Sequence, residues 1–254
     1  MLEIVQIPVW DDNYIYLVHE PNSKKTAVVD PAEAKPVLDE ANKRGWQITH
    51  ILNTHHHFDH VGGNEDIQKA TGAIVAGAAN DTRRIPGISI TLADGDEFEF
   101  GQSKAKIFDT PGHTKGHIAY WFEDSQALFC GDTLFALGCG RLFEGSPEQM
   151  WDSLLKLRNL PTDTNVYCAH EYTSANADFA ITIEPKNEDL KKRVEKIKQM
   201  RDLDMPTVPS KLKEEVKTNP FLRADDADIA AFLKLDGEDP ATVFAEIRRR
   251  KDKF

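Results

Sequence analysis

Cysteine is scarce in this sequence: three residues occur, Cys130, Cys139 and Cys168, and none belongs to a C-x-x-C pair. Cysteines so few and so widely spaced exclude a disulfide framework. No apolar run approaches the roughly 20 residues that cross a bilayer. Residues 1–4 also lack the basic start and apolar segment of a secretory signal. We therefore expect a cytoplasmic protein with no membrane partner.

Positive charge is also in short supply, with 31 lysines and arginines against 42 aspartates and glutamates and a formal net charge of −11. A nucleic-acid-binding protein needs a basic face to displace counterions, so this class is disfavoured. An anionic small substrate would need a local group of cations. The remaining composition, 40% hydrophobic and 29% charged over 254 residues, is ordinary for a globular protein of one large domain or two unequal ones.

The segment 54–63, T-H-H-H-F-D-H-V-G-G, is the most informative part of the chain. The run at 48–52 before it predicts a buried strand, and the glycine pair at its end predicts the start of a helix. A histidine-rich surface loop is the alternative interpretation. Four histidines and an aspartate directly after a buried strand favour a metal site instead.

Side chains alternate between two faces in an extended chain. His55, His57 and Asp59 would then share one face, and His56 would point to the other. His60 falls where the chain turns into the helix, so it can return to the first face. Imidazole and carboxylate ligands without a thiolate suit a catalytic zinc, manganese or iron ion rather than a closed structural zinc site.

Strand and helix patterns alternate up to residue 172, which predicts an α/β layered domain. Predicted strands cover 3–9, 14–19, 26–30, 48–52, 73–76, 97–100, 105–109, 118–122, 127–130 and 165–169, and predicted helices cover 32–44, 64–70 and 147–157. Ser146 is expected to cap the last helix. Ligand-type residues follow strands at His55, His113, Asp132 and His170. Taken singly, the last three equally fit ordinary turns. Together they predict one site where strands run out into loops.

The composition changes after residue 172. Residues 173–254 show helical periodicity and almost no strand pattern. Prolines cannot continue a helix, so they divide this part into four or five helices. We therefore predict a small C-terminal all-α domain. The dividing prolines are Pro185, Pro206, Pro209, Pro220 and Pro240.

Four motifs occur in a fixed order: T-H-H-H-F-D-H, P-G-H-T, G-D-T-L-F and A-H-E-Y. This order resembles the metallo-β-lactamase superfamily. Further segments, G-C-G-R at 138–141, H-E-Y-T at 170–173, N-P-F-L-R at 219–223 and R-R-R-K-D at 248–252, resemble glyoxalase II, the hydroxyacylglutathione hydrolases. The resemblance covers essentially the whole chain.

The resemblance implies an α/β fold, an αββα metallo-β-lactamase sandwich at 1–172, followed by a helical substrate-binding domain at 173–254. It also implies two divalent ions, zinc foremost, with iron or manganese as alternatives. The first ion would be held by His55, His57 and His113, and the second by Asp59, His60 and His170. Asp132 would bridge both ions together with a hydroxide. Asp59 and Asp132 would thus be catalytic residues as well as ligands.

The implied reaction is the hydrolysis of S-(2-hydroxyacyl)glutathione thioesters, above all S-D-lactoylglutathione, in the second step of methylglyoxal detoxification. Water shared by two dications ionises near neutral pH and can attack the thioester carbonyl. The first alternative is the related persulfide dioxygenase, which uses one iron; complete ligands for a second ion disfavour it. β-Lactamase activity is less expected because the sequence has no export signal, and tRNA processing is less expected because it has no basic face. A non-catalytic metal-binding protein is a further alternative, which would bind metal without turnover.

Glutathione would be bound by residues that match family positions: Arg141, Phe143, Tyr172, Arg248 and Lys251. Arg141 replaces a frequent lysine and keeps its charge. Phe143 replaces a frequent tyrosine, which removes one hydrogen bond. The alternative for the basic tail is a solvated helix end, where cations offset the helix dipole.

The remaining histidines have little supporting context. We expect no metal at His117, although it lies four residues after His113, and structural roles for His19 and His50. For His56 we expect either a packing role or a contact that supports the metal ligands. A monomer is expected.

Overall fold

The computed structural model describes the complete chain, Met1–Phe254. It divides into two compact units: the first contains Met1–Asp109 and Lys115–Gly131, and the second contains Thr110–Thr114 and Asp132–Phe254. None of its helices combines the length and the apolar character that crossing a bilayer requires.

The first unit begins with a six-stranded sheet whose strand order follows the chain. Its first three strands are antiparallel neighbours, which confirms the predicted meander, and the next three join in parallel. The strands are β1 (Glu3–Val9), β2 (Asn13–Glu20), β3 (Lys25–Val29), β4 (Ile48–Leu52), β5 (Ile74–Ala78) and β6 (Ile88–Leu92). β6 was not predicted, although Ile88, Ile90 and Leu92 alternate with polar residues; only Leu92 is buried, because this strand lies at the edge of the sheet.

Parallel strands need crossover connections, and two of the connections here contain helices. The connection from β3 to β4 contains α1 (Lys35–Arg44), and the connection from β4 to β5 contains the short α2 (Phe58–Val61) and α3 (Asn64–Thr71). Val37 and Ala41 of α1 and Ile67 of α3 pack with Leu17 and Ile51 of the sheet in one buried cluster. The inner face of these helices therefore forms the first layer of the core.

Four antiparallel strands complete the first unit, and they pack on the other face of the sheet. They are β7 (Glu97–Phe100), β8 (Ser103–Asp109), β9 (Ile118–Phe122) and β10 (Ala127–Gly131). The rings of Tyr16 in β2 and Phe129 in β10 lie 5.5 Å apart, and the Tyr120 hydroxyl donates to Asn53 O at 3.0 Å. β2 is buried along its whole length for this reason. The unit thus has the helix–sheet–sheet layers of the predicted sandwich.

The second unit starts with a short hairpin, β11 (Leu134–Phe135) and β12 (Gly138–Cys139), followed by α4 (Pro147–Arg158) and β13 (Asn165–Cys168). Ser146 caps α4 in a reciprocal capping box with Gln149, as predicted. Five helices follow, which agrees with the predicted number. They are α5 (Thr173–Ile183), α6 (Glu188–Asp202), α7 (Leu212–Thr218), α8 (Ala227–Leu233) and α9 (Pro240–Lys251). A two-residue strand, β14 (Ser210–Lys211), pairs with β13 and was not predicted, because two residues carry no periodicity.

A buried carboxylate ties α7 to the hairpin. Glu215 is fully buried, pairs with the nearly buried guanidinium of Arg193, and accepts the backbone N–H of Leu137 at 2.9 Å. Asn219 donates through its side-chain amide to Glu215 at 3.2 Å and to Phe135 O at 3.1 Å. The buried carboxylate of Glu215 is therefore satisfied by a charged partner and two further donors.

Without the Glu215 carboxylate, the buried Arg193 charge would lose its ion-pair partner and the buried Leu137 N–H would lose its acceptor. We expect Glu215→Ala to lower the free energy of unfolding by about 3 kcal/mol or more, measured by urea unfolding at equal metal content. Glu214→Ala is the control, because the neighbouring Glu214 side chain is 43% exposed and its loss should stay within about 0.5 kcal/mol. Equal losses for the two variants would contradict this assignment.

Candidate metal centre

The T-H-H-H-F-D-H segment changes conformation in its middle. His57 is extended, with φ −59° and ψ 146°, and α2 begins at Phe58. The prediction that the extended chain continues through Asp59 is therefore wrong, since Asp59 and His60 lie on a helical turn. A Cβ on Gly62 would lie 2.5 Å from Ala32 O, so the glycine pair permits a close backbone approach besides opening α3.

His55 and His57 remain on one side as expected. His55 Nε2 lies 3.1 Å from His57 Nδ1, and His55 Nδ1 lies 3.1 Å from Thr54 Oγ1. The Thr54 hydroxyl already donates to Asp30 at 2.6 Å, so it accepts from His55 Nδ1–H. The lone pair of His55 is therefore on Nε2, the nitrogen beside His57.

Asp59 and His60 form the second pair in the first unit. His60 Nε2 lies 3.4 Å from Asp59 Oδ2, and the Asn13 amide donates to the same oxygen at 3.2 Å. His60 Nδ1 lies 3.0 Å from Asp30 Oδ2. A carboxylate only accepts, so Nδ1 carries the proton and Nε2 keeps the lone pair beside Asp59.

Asp30 was missed by the sequence interpretation. Its carboxylate accepts from the Thr54 backbone at 2.8 Å, the Thr54 hydroxyl and His60. A carboxylate oxygen of Asp30 and a ring nitrogen from each of His55 and His60 all lie within 4.8 Å of one another. Because three donors already occupy this carboxylate, it orients His60 rather than binding an ion. The signal for it was present, since Asp30 directly follows β3 in the way that the other polar motifs follow strands.

In the second unit, Asp132 lies between two imidazoles. Its Oδ2 is 3.4 Å from His113 Nε2 and its Oδ1 is 3.4 Å from His170 Nε2. His113 Nδ1 lies 2.8 Å from Arg141 O. The carbonyl only accepts, so the His113 proton is on Nδ1 and the lone pair is on Nε2, beside Asp132. One carboxylate thus presents a different oxygen to each of two ligand-type nitrogens, as the predicted bridging role requires.

These separations fit metal coordination. Two ligands on one tetrahedral ion with bonds of about 2.0–2.1 Å lie about 3.3–3.4 Å apart. Three of the four pairs are 3.4 Å apart and the fourth is 3.1 Å apart. Nitrogen and carboxylate donors without thiolate suit a catalytic divalent ion. The residues present therefore fit the metal that the motifs imply.

The other histidines have neighbours that account for them. His56 Nδ1 lies 2.9 Å from Asp81 Oδ2, and the His117 ring stacks at 4.8 Å on His55. His19 stacks at 4.4 Å on Trp46. Burial lowers the pKa of His50 to about 4, so it is a neutral packing residue.

The predicted glutathione-binding residues all belong to the second unit. Arg141 is exposed, Phe143 is 62% exposed and meets the His113 ring at 5.1 Å, and Tyr172 stacks parallel to His170 at 4.7 Å. Arg248 is instead 6% exposed and donates to Cys139 O at 3.0 Å. Lys251 donates to Ala175 O at 2.8 Å, and burial lowers its pKa. Both tail cations therefore have internal contacts, which the sequence did not predict.

Comparisons with known proteins place this geometry in a family. The metallo-beta-lactamase superfamily matches residues 8–170, and the hydroxyacylglutathione hydrolase C-terminus matches residues 171–254. The hydroxyacylglutathione hydrolase of Methylococcus capsulatus is 62% identical over 254 residues, which cover 100% of this chain and 99% of that protein. Its counterpart in Rhodospirillum rubrum is 56% identical with the same coverage. The crystal structure of ETHE1 from Myxococcus xanthus has a TM-score of 0.68 at 24% identity and covers 98% of each chain, which shows a shared fold.

These matches confirm the resemblance and the α/β fold with its helical C-terminal part. The superfamily and the His/Asp groups together support binding of a divalent metal. The chain therefore belongs to the hydroxyacylglutathione hydrolase family of the metallo-β-lactamase superfamily.

Proposed function

We propose that this protein hydrolyses S-(2-hydroxyacyl)glutathione thioesters, with S-D-lactoylglutathione as its substrate, and releases glutathione and the 2-hydroxy acid. The observation that carries the proposal is the 62% identity, over the whole chain, to a protein named hydroxyacylglutathione hydrolase. The persulfide dioxygenase alternative is not favoured, since the likeness to ETHE1 at 24% identity concerns the fold alone.

The proposed metal set has seven ligands and two divalent ions. His55, His57 and His113 would hold the first ion, Asp59, His60 and His170 would hold the second, and Asp132 would be a ligand to both. The imidazole contacts of Asp132 at 3.4 Å support the shared position. Zinc is the proposed metal, with iron and manganese as alternatives that the same donors accept. Bound ions would act as Lewis acids toward water and the thioester carbonyl.

Hydrogen bonds within the chain set the protonation of two of these histidines, and burial of the cysteines disfavours a covalent thiol mechanism. Asp30 holds His60, and Arg141 O holds His113, with the proton on Nδ1. A cysteine nucleophile is disfavoured, because all three cysteines are buried and burial raises the pKa of Cys139 to about 11 and that of Cys168 to about 12. Asp59 and Asp132 are therefore the proposed catalytic residues, acting as ligands that place the reacting groups.

Glutathione is proposed to lie along Arg141, Phe143, Tyr172, Arg248 and Lys251. Exposed Arg141 offers a cation to an anionic substrate on a protein of net charge −11. Residues 1–172 are the proposed catalytic domain and 173–254 the substrate-binding domain; the two family matches meet at 170 and 171. The protein is proposed to be a cytoplasmic monomer, and three free cysteines are consistent with a reducing compartment.

The activity is tested by following thioester loss when purified, metal-loaded protein is mixed with S-D-lactoylglutathione. We expect a kcat/KM in the range of ordinary enzymes, about 10⁴–10⁸ M⁻¹s⁻¹. Oxygen uptake with glutathione persulfide is measured beside it. Oxygen uptake without thioester cleavage would show that the protein is a persulfide dioxygenase and not a thioester hydrolase.

Asp132 is expected to be the ligand whose loss does most damage, because it is assigned to both ions. Elemental analysis of metal-loaded protein should give about two ions per chain, and Asp132→Ala should lose both together with nearly all kcat. Asp163→Ala is the control, since its side chain is 62% exposed. An unaltered protein that never exceeds one ion would refute the binuclear assignment.

Lys251 is proposed to bind the glycyl carboxylate of glutathione, at a distance from the thioester. Such a contact acts equally in the ground and transition states, so Lys251→Met should raise KM about tenfold and leave kcat nearly unchanged. A thioester lacking that carboxylate should show a much smaller change. Lys253→Met, at an exposed position of the same tail, is the control. Equal effects on both thioesters would show that Lys251 only stabilises the helical part.

A further inference from the structure

The guanidinium of Arg248 is held in place by contacts with three residues. It donates through Nη1 to Cys139 O at 3.0 Å, binds the Asp252 carboxylate at 3.0 and 2.8 Å, and lies over the Phe221 ring at 5.1 Å. With 6% of the residue exposed, this is an oriented internal group rather than a mobile surface cation. Its contacts therefore fix the chain at Cys139.

From Cys139 the chain passes directly against two proposed metal ligands. Gly140 follows, and a Cβ at this position would lie 2.0 Å from Asp132 O and 3.1 Å from His113 Nδ1. Only glycine permits this approach. A small displacement of Cys139 would therefore be transmitted to the backbone of Asp132 and to the His113 ring.

Residues 141–145 then wrap around His113. Arg141 O accepts from His113 Nδ1 at 2.8 Å, and the Phe143 N–H donates to His113 O at 3.3 Å. The Gly145 N–H donates to Gly112 O at 3.0 Å. The Arg141 contact sets the orientation and tautomer of the imidazole, which is the usual task of groups surrounding a metal ligand, and the other two contacts hold the backbone that carries it.

We propose that Arg248 is a positioning residue: through the Cys139 carbonyl it holds residues 139–145 against His113 and Asp132, and so couples α9 to these two metal ligands. This role is additional to any contact with glutathione. It rests on the proposed function only for its kinetic consequence, because the positioning itself exists without substrate.

The test compares Arg248→Met with the unaltered full-length protein by hydrogen exchange in the absence of substrate. Met keeps an unbranched apolar stem and removes the guanidinium with its donors. We expect the amides of Phe143 and Gly145 to exchange about tenfold faster or more, as loss of a buried hydrogen-bond donor predicts. Metal loaded into the variant should pass to a chelator faster by a similar factor. kcat should fall, and equally so for thioesters with and without the glycyl carboxylate.

Arg158→Met is the matched control. Arg158 also donates to a backbone carbonyl, Leu222 O at 2.8 Å, binds the Asp225 carboxylate and lies over a ring, that of Trp151 at 5.4 Å. It has the same kinds of contact, but none of them is with residues 139–145. Its removal should lower stability and leave exchange at Phe143 and Gly145 unchanged.

Two outcomes would overturn the proposal. If both variants accelerate exchange at Phe143 and Gly145 equally, Arg248 contributes only general stability. If Arg248→Met raises KM alone and leaves this exchange unchanged, it is only a substrate contact. Since exchange is read without substrate, absence of thioesterase activity would contradict the proposed function and leave the positioning result intact.

Discussion

The carboxylate of Asp30 is the constraint on which the arrangement of His55 and His60 in the first unit depends. It lies at the end of β3, with a left-handed backbone (φ 49°), and accepts from the backbone and hydroxyl of Thr54 and from His60. The chain after β4 is thereby attached to the end of β3, and the ring of His60 is oriented at the same time. One buried side chain thus sets both the path of the motif and the protonation of two of its histidines.

In the second unit, a corresponding constraint on His113 and Asp132 comes from backbone atoms. Arg141 O fixes His113, and the chain around Gly140 leaves room for nothing larger than hydrogen beside Asp132. Ligands oriented in advance by surrounding hydrogen bonds lose little freedom when an ion binds, which favours affinity and a defined geometry. Of the groups that do this, Thr54, Gly140 and Arg141 lie within the motifs that resemble the family, whereas Asp30 lies outside them.

The acidic character of the protein makes the disposition of its cations informative. Arg193, Arg248 and Lys251 all have internal partners in the second unit, whereas Arg141 is exposed. A buried guanidinium is stable only with such partners. Arg248 contacts the hairpin at 134–139 directly and Arg193 contacts it through Glu215, whereas Lys251 contacts α5 at Ala175.

The ligand-type residues, the order of their motifs, the sandwich-type alternation of strands and helices, and the helical end of the chain were all predictable from sequence, because residue chemistry and periodicity are local properties. The helical turn at Asp59 was not, since packing of the glycine pair against Ala32 overrides the extended pattern. Asp30 carried a sequence signal, because it directly follows a strand, but its contacts with Thr54 and His60 were not predictable. The internal partners of Arg248 were not predictable either, since Cys139 is 109 positions away. The sequence by itself determined which groups the protein has for its chemistry. Only the tertiary structure decided which of them are held, by what and in which protonation state, because hydrogen bonds and burial depend on neighbours that are distant along the chain.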